Sequence, residues 1–90
     1  MINKDLKYIA DHYGLKHQLV KCKEELGELI EAIDSTNGEA IIEEVADVEI
    51  MTEQLKHLMC VEKVVELYKD YKTDRQLRRI AEEQSRECDN

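Results

Sequence analysis

From Leu15 the apolar positions fall at Leu19, Cys22, Leu26, Leu29 and Ile33, with gaps of four and three in alternation. That repeat keeps side chains on one face of an α-helix. A second run, Ile41, Val45, Val48, Thr52, Leu55 and Met59, carries the same alternation. Between the two, Ser35-Thr36-Asn37-Gly38 offers a stop for the first helix and a cap for the second. Helices with such stripes, joined by so short a turn, are expected to pack as an antiparallel hairpin at a shallow crossing angle. Upstream, Leu6, Ile9 and Tyr13 predict a short leading helix over 4–13, and Gly14 offers a break before the main helix. Downstream, Val61, Val64, Val65 and Tyr68 predict a third helical segment over 61–71. Leu77, Ile80 and Ala81 predict a fourth from about Asp74, and 84–90 reads as a frayed tail.

Composition strengthens the helical reading. The 90 residues contain no Pro, Trp or Phe, and only three Gly; Glu, Lys, Leu, Ile and Val dominate the rest, as in long helices. We expect one all-α domain over 1–90, an antiparallel hairpin with short additional helices. A chain of this length has a modest core for its surface, so the hairpin is expected to assemble as a helical bundle in a homodimer or homotetramer. The net charge of -8 argues against nucleic acid and anionic membranes as partners. Cys22, Cys60 and Cys88 are odd in number and lack CxxC spacing, so they read as reduced thiols of a cytoplasmic protein rather than disulfides or zinc ligands. No stretch approaches the roughly 18 apolar residues a membrane span requires, and no apolar signal region opens the chain.

Charge patterning then changes the picture. Glu25 and Glu28 are three apart on the first long helix, and Glu44 and Asp47 are three apart on the second, so each pair projects from one face. In an antiparallel hairpin, residues at equal height have positions with a constant sum. Glu28 with Glu44 and Glu25 with Asp47 both give 72, centred on Thr36 inside the predicted turn. Glu28 is therefore expected opposite Glu44, and Glu25 opposite Asp47. Four converging carboxylates repel one another unless a cation or water intervenes, and an all-oxygen set suits Mg²⁺ or Mn²⁺. Gln18, Lys21, Glu25 and Glu28 also form one edge of the first helix, along which a ligand would meet an amide, an ammonium and two carboxylates. Met51 and Leu58 extend the Glu44 and Asp47 side as an apolar wall.

The residues Glu24-Glu25-Leu26-Gly27-Glu28, a fifteen-residue gap, then Glu44-Val45-Ala46-Asp47 resemble the MazG-like all-α nucleoside triphosphate pyrophosphohydrolases. That family's pattern is EExxE followed, after a variable gap, by ExxD, and the resemblance runs from about Tyr13 to about Ile80. It implies hydrolysis of a nucleoside triphosphate between the α and β phosphates, giving a nucleoside monophosphate and pyrophosphate. It also implies Mg²⁺ held by Glu25, Glu28, Glu44 and Asp47, with Gln18 ahead of the first motif and Lys72, Arg75 and Arg79 behind the second as substrate contacts. Glu24 is the candidate for orienting or deprotonating the attacking water.

Lys72, Arg75 and Arg79 form a cationic ridge if their stretch is helical; they could hold the β and γ phosphates or pair with Asp70, Asp74 and Glu82. His12 and His17 precede the acidic motif and could reach a nucleobase, although lone histidines on a helix are usually half-exposed polar residues. His57 follows Glu53 by four, and no Glu-x-x-His element is present, which counts against a ferritin-like di-iron centre. The rival to an enzyme is a non-enzymatic helical interaction module whose acids are a solvated face and whose stripes serve oligomerisation. A third possibility is an enzyme acting on another phosphoanhydride, such as a diphosphate.

Overall fold

A computed structural model describes residues 2–88, and these form three helices and no strand. Helix α1 spans Lys4–Ser35, α2 spans Gly38–Met59 and α3 spans Glu62–Cys88. The Asn3 side chain caps α1 by accepting from the Asp5 N–H at 2.8 Å. Gly14, at φ 83 and ψ 166, divides α1 into the expected leading segment and main helix. That backbone region is open essentially only to glycine, so the kink follows from the residue type.

The hairpin turn forms where Ser35 to Gly38 predicts it. Thr36 takes a left-handed conformation and its N–H bonds the Ile33 carbonyl, while Asn37 Oδ1 accepts from the N–H groups of Glu39 and Ala40. The expected third and fourth segments are instead one continuous helix of 27 residues. Thr73 and Asp74 are only weak helix formers, and the stretch has no Gly or Pro to break it. Helix runs through 84–88, inside the expected frayed tail; Asp89 and Asn90 lie outside the described residues.

Helices α1 and α2 pack along their lengths, while α3 meets only the end of α2 and makes no approach to α1 among the described residues. His57 Nε2 reaches Asp11 Oδ1 at 2.7 Å and ties the leading segment to α2.

The line of contact in the hairpin is not the line of the apolar stripe. On α1 beyond the Gly14 kink the buried positions are Gln18, Cys22, Glu25 and Ala32, and on α2 they are Met51 and Gln54. On a helical projection these positions are turned from the stripe by about 65° on α1 and about 110° on α2, in both cases toward the acidic side. Because the helices are antiparallel, the two displaced stripes point to the same flank of the hairpin. Leu19, Leu26, Ile33, Val45 and Met59 are accordingly exposed. Among the described residues, the buried apolar ones are Ala10, Cys22, Ala32 and Met51.

A compact monomer of this mass would expose about 5,500 Å² and have a radius of gyration of about 12 Å. The protomer exposes 7414 Å² with a radius of 17.3 Å.

Candidate metal centre and adjoining groove

The rotation of the contact line brings carboxylates between the two helices. Oxygens of Glu25, Glu28 and Glu44 lie within 4.8 Å of one another. Glu25 is buried, Glu44 half-buried and Glu28 exposed, so the cluster opens from the hairpin interior to solvent. One oxygen of Glu25 and one of Glu44, both buried, have no hydrogen-bond partner. Burial first, and then the neighbouring Glu28, Asp47 and Glu25 carboxylates, push the Glu44 carboxyl above its usual range.

Of the expected opposing pairs, Glu28 and Glu44 meet. Asp47 acts on Glu44 through its charge, but its oxygens lie outside the three-residue cluster.

These residues fit a small divalent cation. Around Mg²⁺ neighbouring oxygens stand about 3 Å apart and opposite ones about 4.2 Å, so the three carboxylates would have to draw inward to close on one ion. The two orphaned oxygens are the kind of buried acceptors that a cation satisfies.

Lys21 bridges Glu24 at 3.5 Å and Glu25 at 3.6 Å. The Glu24 and Glu25 charges raise the Lys21 pKa above its ordinary value, holding it as an ammonium at the edge of the cluster. Glu24 is exposed and turned to Lys21, outside the three-carboxylate group.

Gln18 departs from the expected open edge. It is buried, with Nε2 donating to Gln54 Oε1 at 2.7 Å and Oε1 2.7 Å from His17 Nδ1. Gln54 escaped the sequence reading, although Gln18 and Gln54 share the same positional sum of 72 as the acid pairs. The arithmetic that paired the carboxylates would have paired these amides. Met51 is buried beside Gln54 rather than forming an open wall, and Leu58 is half-buried.

Next to the cluster lies an open groove of about 900 Å³, flanked by Ile9, Tyr13, His17, Val20, Ile50 and Met51 and reaching Lys21 and Glu24. Tyr13 and His17 stack at 4.6 Å between ring centroids across the Gly14 kink.

Lys72, Arg75 and Arg79 all lie on exposed α3. None of the three forms an ion pair with Asp70, Asp74 or Glu82 among the described residues. Since α3 does not approach α1, the ridge and the cluster are not brought together within one protomer. Cys22 is buried, and burial raises its thiol pKa, while Cys60 is an exposed thiol at the left-handed cap of α2. No described helix is long and apolar enough to cross a membrane. No protein-family model, curated protein or solved structure matches this chain.

Proposed function

We propose that the chain is a MazG-like nucleoside triphosphate pyrophosphohydrolase that works with Mg²⁺, or Mn²⁺, at the hairpin acids. The observation that carries the reading is the pair of buried carboxylate oxygens, on Glu25 and Glu44, left without partners inside a cluster of like charge. Such an arrangement is costly unless a cation completes it. Glu25, Glu28 and Glu44 would hold the ion, with Asp47 joining from the adjacent turn of α2. When bound, the ion neutralises the carboxylates, admits a polyanionic ligand and polarises phosphoryl oxygens.

The chain's own residues do the rest. Lys21, at the edge of the cluster, offers a charge-assisted hydrogen bond to a phosphate oxygen. Glu24, with an exposed carboxylate beside it, is the residue we assign to orienting or deprotonating the attacking water. Lys72, Arg75 and Arg79 serve the β and γ phosphates from the α3 of a second copy, because their own α3 does not reach α1. The apolar flank of the hairpin supplies the contact between copies in a homodimer or homotetramer.

The test is release of pyrophosphate from a panel of nucleoside triphosphates with millimolar Mg²⁺, alongside melting with and without the ion. We expect pyrophosphate from at least one nucleotide and a higher melting temperature with Mg²⁺. Asp47→Asn should abolish turnover while leaving the helical signal intact. Failure of every triphosphate, with melting insensitive to Mg²⁺, would leave the interaction module as the better reading.

A further inference from the structure

We propose that the groove beside the acidic cluster is the nucleobase pocket of that same site, and that the buried Gln18 and Gln54 amides read the base edge, favouring bases that carry a carbonyl oxygen where cytosine and adenine carry an exocyclic amino group. This rests on the nucleotide reading above.

The groove is contiguous with the cluster, since Lys21 lines it and also pairs with Glu25. Its apolar walls, and the stacked Tyr13 and His17 rings, suit a flat heteroaromatic ring. Its floor is polar. Gln18 and Gln54 are only 3% and 1% exposed, and buried amides persist when their hydrogen bonds are made. The bonds run as a relay. His17 Nδ1 lies 2.7 Å from Gln18 Oε1, and Gln18 Nε2 donates to Gln54 Oε1 at 2.7 Å. The relay ends at Gln54 Nε2, whose only acceptor among the described residues is the Met51 thioether at 3.9 Å.

A thioether sulfur is a weak acceptor, so the innermost donor of a nearly inaccessible amide is left poorly satisfied. Met51 also lines the groove, and its unbranched side chain can swing aside. A carbonyl oxygen on an entering base would then replace the sulfur. With Gln18 Oε1 facing it, His17 Nδ1 can only donate, so this amide orientation goes with the tautomer protonated on Nδ1.

The test uses nucleosides, which carry no phosphate, so that it does not depend on turnover or metal. Uridine is compared with cytidine, and inosine with adenosine, by following the Tyr13 and His17 ring protons in the metal-free protein. We expect saturable shifts, with the keto member of each pair binding about fivefold tighter, the worth of one ordinary hydrogen bond. Gln54→Leu should bring the members of each pair to within about twofold. Ile50→Lys, on the exposed groove wall, should weaken all four without disturbing the buried amides. It decides whether the groove is the seat even if Gln54→Leu fails to fold.

Absence of saturable shifts, an equal or reversed ranking in the unaltered protein, or unchanged nucleoside binding in Ile50→Lys would overturn the proposal. Pyrophosphate release without nucleoside binding would sink the pocket and leave the hydrolase. Nucleoside binding without pyrophosphate release would do the reverse.

Discussion

Glu44 concentrates the electrostatic conflict of the molecule. It stands half-buried among Glu28, Asp47 and Glu25, with one oxygen unpartnered. Its carboxyl is held above the ordinary value of 4.5, so the folded chain binds this proton more tightly than the unfolded chain does. Below the ordinary value both states are protonated and the group is neutral toward folding. As pH rises from there through the raised value, charging Glu44 costs the folded state, and metal-free stability falls. Glu44→Gln removes the charge but keeps the shape. We expect this variant to melt higher than the unaltered protein in chelator at neutral pH, with the difference closing toward about pH 4. The same substitution should remove stabilisation by Mg²⁺. Melting curves across that range decide it, and a variant that melts lower in chelator at pH 7 would contradict the account.

At the scale of the elements, Gly14 sets where the leading segment points and therefore where Tyr13 meets His17. Space is not the constraint, because a Cβ at Gly14 would meet nothing within 4 Å; the constraint is the positive φ of 83. Gly14→Ala should cost about 1–3 kcal/mol in denaturant unfolding, or relax the kink and separate the two rings. The sequence makes this break legible, along with the Asn37 cap and the hairpin register, because each depends on a local signal: a glycine, a capping side chain, a shared positional sum. It is less informative about helix rotation. Periodicity identifies an apolar face, but the pairing of Gln18 with Gln54 and the burial of Glu25 show that another face lines the hairpin. That choice leaves Leu19, Leu26 and Val45 exposed. Likewise, nothing local divides α3, whose sequence has no Gly or Pro between the two groups of apolar residues.

The whole molecule has its acids on one arm and its cationic ridge on another. Helix α3 leaves the hairpin at Cys60 without approaching α1, so Lys72, Arg75 and Arg79 serve an acidic cluster only if that cluster belongs to another copy. The exposed apolar flank makes such a copy physically reasonable, since its exclusion from water favours association. Two inactive chains then become informative together. Glu44→Gln has a defective cluster and an intact ridge, whereas the Arg75→Ala, Arg79→Ala double variant has the opposite defect. If ridge and cluster meet across subunits of a symmetric dimer, each mixed dimer holds one complete site. Random assortment of equal amounts, after joint unfolding and refolding, should therefore restore about a quarter of the activity of the unaltered protein. If the ridge works within its own chain, no mixed dimer contains a complete site, and the mixture stays as inactive as its components. Sedimentation of the mixture must show dimers or larger assemblies for the recovery to be assigned to shared sites; a monomeric population would defeat the cross-subunit arrangement outright.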